Sequence, residues 1–222
     1  MKKSIFWLLA ISILSAAVYF SENRVLAEPF ITKNKKLQKE FSELKTGDIV
    51  FQVNESGQGK AIQLATHSIY THCGIVFMDH GKTMVYEAVQ PVRITPMEEW
   101  IKQGEDKAYV AKRLKDDILL TTEKTDAMRN YATSLLGKNY DIFFNWSDDD
   151  IYCSELVWKI YHQALGVDLC EPRPLRDFDL SHPEVRRIME QRYGETIPLK
   201  EVMVSPGDLF DSKWLVEVQK PS

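Results

Sequence analysis

An α+β fold, with an antiparallel sheet packed against one strongly amphipathic helix, is predicted by three features of the sequence. The first is the apolar stripe that begins at Cys153. Leu156, Val157, Ile160, Tyr161, Ala164 and Leu165 follow at i, i+3, i+4 spacing, and Gly166 supplies a C-cap. The second is a pair of β-rich runs, residues 70–78 and 83–89, joined by the hairpin turn Asp79-His80-Gly81-Lys82. The third is the mixture of further strand signals at 48–52, 108–114 and 202–204 with helical segments between them.

Composition bounds the function. With 222 residues, 44% of them hydrophobic, the chain can bury a full core in one domain. A net charge of -4 without any basic concentration argues against nucleic acid as a partner. Three cysteines do not suggest a disulfide scaffold. His67, His72, Cys73, His80 and Cys153 lack a compact ligand spacing, so no metal is expected, and no phosphate loop points to a cofactor.

The first residues have the form of a targeting segment. Lys2 and Lys3 precede a charge-free, mostly apolar run at 4–20, and Val25-Leu26-Ala27 offers a small residue at a cleavage point. Residues 1–27 are therefore read as a signal peptide or an N-terminal membrane anchor, and 28–222 as the working domain. Either reading leaves that domain outside the cytoplasm, in the periplasm or cell envelope, with membrane association in the anchored case.

The remaining elements follow from pattern. Residues 33–45 place Leu37, Phe41 and Leu44 on one helical face, a lead-in helix ending at Thr46 and Gly47. The Gly- and Ser-rich stretch 54–60 reads as an exposed loop before a short helix at 61–66. Residues 91–103 read as a loop and a short helix containing Trp100, and 123–136 as a helix closed by Gly137. An aromatic connection, 138–146, leads to Cys153, and beyond Gly166 a helix at 183–193 carries a capping-box pattern from Ser181 to Glu184.

Chemistry concentrates at Cys153. It starts the striped helix, where unpaired N–H groups and the dipole favour a thiolate. A cysteine on an apolar stripe is equally at home as a core residue, so partners decide. If the hairpin loop is symmetric, Met78 faces Thr83, Gly74 faces Glu87, and His72 lies diagonal to Glu87 on one sheet face, within reach of its carboxylate. A carboxylate on one ring nitrogen fixes the tautomer and leaves the other nitrogen to act as a base. Cys73 falls on the opposite face and reads as core. The run Asp148 to Asp150 suits a helix start but opposes a thiolate nearby.

Thr46-Gly47-Asp48-Ile49-Val50-Phe51-Gln52, Ala61-Ile62-Gln63-Leu64-Ala65-Thr66-His67-Ser68, His72-x-Gly74, Tyr86-Glu87-Ala88, Tyr140-Asp141 and Trp146-Ser147-Asp148-Asp149 with Tyr152-Cys153-Ser154-Glu155 resemble the YiiX/YaeF-like permuted papain-like cysteine amidases and peptidases. The resemblance runs over about residues 46–211. It implies a circularly permuted papain-like fold in which the histidine-bearing strand precedes the nucleophile helix. It also implies Cys153 as nucleophile, His72 as general base and Glu87 as the residue orienting His72. The Cys153 backbone N–H would serve the oxyanion hole, with Tyr70 or Tyr152 as weaker second donors. The expected activity is cleavage of an amide in a cell-envelope peptide or lipid-linked substrate through a thioester acyl-enzyme. Lipid acyl hydrolysis or transfer, and a non-catalytic binding module, are the alternatives.

Overall fold

In the computed structural model of the chain, residues 41–54 and 56–219 are described. The leader at 1–27 and most of the expected lead-in helix at 33–45 lie outside them. The chain divides into two compact units, Met1–Ser42 and Glu43–Ser222, and the fold is that of the second.

In chain order the elements are β1 (Ile49–Gln52), α1 (Gly57–Thr66), β2 (His72–Asp79), β3 (Lys82–Glu87), β4 (Arg93–Pro96), the single turn α2 (Met97–Trp100) and β5 (Val110–Leu114). Then come α3 (Thr122–Ser134), α4 (Cys153–Leu165), β6 (Arg173–Pro174), α5 (Pro183–Tyr193), β7 (Val202–Met203), α6 (Pro206–Phe210) and β8 (Leu215–Gln219). One sheet runs β4-β3-β2-β1-β5-β8, antiparallel throughout, and β6 pairs separately with β7.

Helix α4 is the element around which the core closes. Its stripe of Cys153, Leu156, Val157, Ile160, Tyr161 and Ala164 packs with Ile49, Phe51, Cys73, Ile75 and Phe77 of the sheet and Met128 and Ala132 of α3. Leu156, Val157, Ile160 and Tyr161 are fully buried, each gaining about 1.5–3 kcal/mol from the transfer of its side chain. Gly166 ends the helix with φ of 69°, a left-handed conformation in which glycine carries no steric penalty. Asp48 is fully buried beneath the sheet end, and Arg113 donates to it from Nε at 2.7 Å and Nη2 at 2.8 Å.

The β2–β3 hairpin turns on two residues, His80 and Gly81, both at positive φ (44° and 76°), which matches the twist of the flanking strands. Met78 pairs with Thr83 and Ile75 with Tyr86, the register of a symmetric loop. A Cβ on Gly74 would lie 2.5 Å from Val85 Cγ1, so that position requires glycine.

Three local expectations are corrected, and one strand is added. The stretch read as a loop at 54–60 supplies the first turn of α1, because Ser56 accepts from Gly59 N at 3.1 Å and caps the helix. Helix α5 is capped by the ring of His182, which accepts from Glu184 N at 3.2 Å, while Ser181 is engaged by Asp179. Residues 93–96, read as loop, form β4 against β3. The strand β8, which had no sequence signal, completes the sheet beside β5. Among the described residues no helix is long and apolar enough to cross a membrane.

Candidate active site

Strand β2 presents His72 as its first residue, and β3 presents Glu87 as its last. The hairpin register brings the two together: His72 Nε2 lies 2.8 Å from Glu87 Oε2. Glu87 is fully buried, and its other oxygen accepts from Thr95 Oγ1 at 2.6 Å and Arg93 Nε at 3.2 Å. The ring of Trp100 stacks on the imidazole at 6.0 Å between centroids and helps keep water from the pair.

With Nε2 committed to Glu87, Nδ1 is the ring atom left for Cys153, whose sulfur lies within hydrogen-bonding reach of the imidazole. Sulfur, imidazole and carboxylate thus form one connected line drawn from α4, β2 and β3. Burial lowers the affinity of His72 for a proton, but the hydrogen bonds and negative charge of Cys153 and Glu87 outweigh it and raise its pKa to about 10. Burial would raise the pKa of Glu87; the His72 hydrogen bond and charge, with Thr95 and Arg93, instead hold it at about 2. Cys153 is held well below the ordinary thiol range by a hydrogen bond from Cys73 and by the hydrogen bond and charge of His72, against the opposing effect of burial. These directions describe a thiolate beside an imidazolium.

Cys73 has a larger part than a core residue. It is fully buried, as its strand parity indicated, yet its thiol meets the sulfur of Cys153, and burial beside that sulfur pushes the Cys73 pKa well up.

Asp148 is largely turned to solvent and paired with Lys159 Nζ at 2.7 Å, so its charge is offset at the surface. Lys159 also pairs with the buried Glu155 at 2.8 Å, and Glu155 reaches back to Tyr152 N at 3.3 Å to cap α4. Cys153 is the first residue of that helix, so helix geometry leaves its N–H without a partner in the helical ladder.

The two tyrosines expected as second oxyanion donors have different surroundings. Tyr70 packs its ring on Phe210 at 4.2 Å and against Phe51 at 5.7 Å, with Asp211 and Glu217 as the charges nearest its hydroxyl. Those contacts place it with α6 and β8 and not with Cys153. Tyr152 accepts from Val204 N at 3.1 Å, and its ring packs edge-on against Phe144.

Tyr140 places its hydroxyl beside Cys153. Its hydroxyl accepts from Gln58 Nε2 at 3.0 Å and lies within hydrogen-bonding reach of Cys153; desolvation, and after it the charge of Cys153, push its pKa well above the ordinary phenol range. With Gln58 donating to the oxygen, the phenol proton is free to point at the sulfur. Asp141 holds this connection in shape, accepting from Phe143 N and Asn145 N at 2.7 Å each. The Tyr140-Asp141 pair stood in the sequence as a motif, but nothing in its spacing assigned the hydroxyl a target.

Two openings meet at the site. One has about 680 Å³ of empty space, open in part to solvent, and is lined by Cys153, Ala61, Ala65, Phe178, Met189 and Met203 among others. The other has about 960 Å³, open in part to solvent, and is lined by His72 with Asn54, Ser56, Thr71 and Gln90.

A buried cysteine at a helix start lies beside a histidine–carboxylate pair on an antiparallel sheet, and the histidine strand comes first along the chain. Residues 43–218 match the model of the permuted papain-like amidase family, YaeF/YiiX, C92, and the chain belongs to that family. It is 47% identical over 175 residues to the uncharacterized protein YiiX of Escherichia coli (strain K12), covering 79% of this chain and 86% of that one. A solved structure described as metalloprotein yiiX from Escherichia coli O157:H7 superimposes with a TM-score of 0.78 at 47% identity, covering 81% of this chain and 98% of that one. Among the described residues of this chain no group of three or more His, Cys, Asp or Glu side chains is arranged to hold a metal ion.

Proposed function

We propose that the protein is a cysteine hydrolase that cleaves an amide through a thioester acyl-enzyme. The observation that carries this reading is the buried line from Cys153 through His72 to Glu87, which stabilises the sulfur as a thiolate. The thiolate attacks the carbonyl carbon, and the resulting oxyanion lies near the Cys153 N–H and the Tyr140 hydroxyl. His72, held in one orientation by Glu87, gives its proton to the departing nitrogen. Water then attacks the thioester, His72 takes its proton, and the free acid leaves.

The apolar run and small residues at 4–27 support a setting outside the cytoplasm, with a cell-envelope peptide or lipid-linked amide as substrate. Incubating the wild type and Cys153→Ala with purified peptidoglycan and with envelope lipid extract, followed by mass spectrometry, tests the reading. Products formed by the wild type alone are expected. Products common to both proteins would exclude cysteine catalysis.

A further inference from the structure

Cys73 is a buried thiol that the hydrolytic steps do not use. Strand β2 turns it into the core with Ile75 and Phe77, against the stripe of α4, while its neighbour His72 is held by Glu87. Its side chain meets the first residue of α4, and the two sulfurs lie within hydrogen-bonding reach. Both residues belong to one continuous core, and all three cysteines of the chain are free thiols. Of the pair, Cys153 lines an opening to solvent and Cys73 lines neither opening at the site.

Packing alone asks only for a small apolar residue at position 73, and alanine or valine would supply one. A thiol adds a property that they lack: it can bond to the sulfur beside it. A disulfide needs its sulfurs at about 2.05 Å, so two sulfurs already within hydrogen-bonding reach have a short gap left to close by side-chain rotation. The partner is also the reactive one. A thiolate beside an imidazolium, reachable from solvent, is the form of cysteine that peroxides oxidise.

We propose that Cys73 is the resolving thiol of a redox switch: hydrogen peroxide converts Cys153 to a sulfenic acid, and Cys73 closes on it as a Cys73–Cys153 disulfide that silences the nucleophile reversibly. The Cys153 thiolate attacks one peroxide oxygen, the S–O bond forms as the O–O bond breaks, and the departing hydroxide takes a proton from His72 and leaves as water. The Cys73 sulfur then attacks the sulfenic sulfur. The S–S bond forms as the S–O bond breaks, and the released hydroxide takes the Cys73 proton as a second water. Two electrons pass from the sulfurs to the peroxide. Burial, and after it the hydrogen bond and charge of Cys153, hold the proton on Cys73 while the site is reduced. Oxidation of Cys153 cancels that charge, so the hold weakens only once there is a sulfenic acid to attack. Reduction enters from the other side: an incoming thiolate reaches the Cys153 sulfur through the opening, and Cys73 is the leaving group. Without Cys73 the sulfenic acid stays open to a second peroxide and to the irreversible sulfinic acid.

The test treats the reduced, purified chain with an excess of hydrogen peroxide at neutral pH, then denatures it, blocks free thiols with a maleimide and reads intact mass and peptide maps. The wild type is expected to lose about 2 Da before blocking and to yield a peptide pair joining Cys73 to Cys153. Iodoacetamide labelling of Cys153 in the folded chain is expected to fall at least about tenfold after peroxide and to return with dithiothreitol. Cys73→Ala is expected instead to gain about 32 Da at Cys153 and to stay unlabelled after dithiothreitol, and Cys170→Ser, which alters the thiol outside the pair, to behave as the wild type does. Wild-type Cys153 found as sulfinic acid with Cys73 free, a disulfide that includes Cys170, or full recovery of Cys73→Ala would overturn the proposal, and the wild-type map decides it even if Cys73→Ala fails to fold. The proposal rests on the thiolate of the cysteine-hydrolase reading. Slow iodoacetamide labelling of the reduced chain would overturn that thiolate and both readings with it, whereas rapid labelling without the disulfide would overturn the switch alone.

Discussion

Glu87→Gln removes one charge from the site and changes the shape of the side chain very little. The carboxylate lies 2.8 Å from His72 Nε2 and is fully buried, so the bond it accepts is charge-assisted and unscreened. Losing the charged partner of such a bond costs the imidazolium about 1.5–3 kcal/mol. At about 1.36 kcal/mol per pH unit, that lowers the titration of His72 by about one to two units. From about 10 in the wild type, the midpoint falls to between about 8 and 9. The direction for stability follows from the raised value. The pairing stabilises the fold fully below the ordinary histidine pKa of 6.5 and is lost as pH rises through about 10, or through about 8 to 9 in the variant. Titrating the imidazole C–H resonances by NMR, with His72→Gln identifying the signal, measures both midpoints. A wild-type His72 that titrates near 6.5, or a variant whose midpoint coincides with that of the wild type, would refute the reasoning.

Other parts of the structure make further predictions. Iodoacetamide should alkylate Cys153 at pH 6 at nearly its pH 8 rate, whereas an ordinary thiol loses roughly 75-fold over that interval; a parallel loss would show that no thiolate is stabilised. Tyr140→Phe should slow acylation of Cys153 by about 10²–10³-fold while leaving the melting temperature almost unchanged, and an unchanged rate would remove Tyr140 from the oxyanion site. Ser154→Ala orphans the buried Val204 carbonyl, to which Ser154 Oγ donates at 2.7 Å, and should cost about 1–3 kcal/mol, seen as a drop in Tm of about 2–4 °C for each. Arg113→Met leaves Asp48 buried without its partner and should cost about 3–5 kcal/mol in urea denaturation; a loss below 1 kcal/mol would contradict the buried pairing.

What the sequence disclosed, it disclosed through local geometry. His72 and Glu87 lie within one hairpin, so a two-residue turn and the alternation of a strand suffice to bring them together. Cys153 starts a helix whose stripe is uninterrupted, so its inward aim was equally legible. Tyr140, Gln58 and Cys73 were not. Strand parity assigned Cys73 to a face but was silent on which residue of α4 would lie over it, and the reach of Tyr140 depends on a loop shaped by Asp141. The glycines of α1 misled for a related reason. A Cβ on Gly59 would lie 2.0 Å from Asn54 O, so the residue that looks like loop composition is what lets the chain pass over itself at the helix start.

In the proposed site the histidine and glutamate of the hairpin precede the cysteine by 81 and 66 residues, and this order along the chain governs when the sulfur becomes reactive. A ribosome delivers the hairpin first and the sulfur well afterwards. Hairpins close within about 1–10 µs, so the acid–base half can form early, whereas the distant contact with α4 waits for the core to assemble. Until then Cys153 has no imidazolium beside it and behaves as an ordinary thiol. On the proposed reading, the thiolate forms only with the finished fold, and the unfolded chain carries an ordinary thiol.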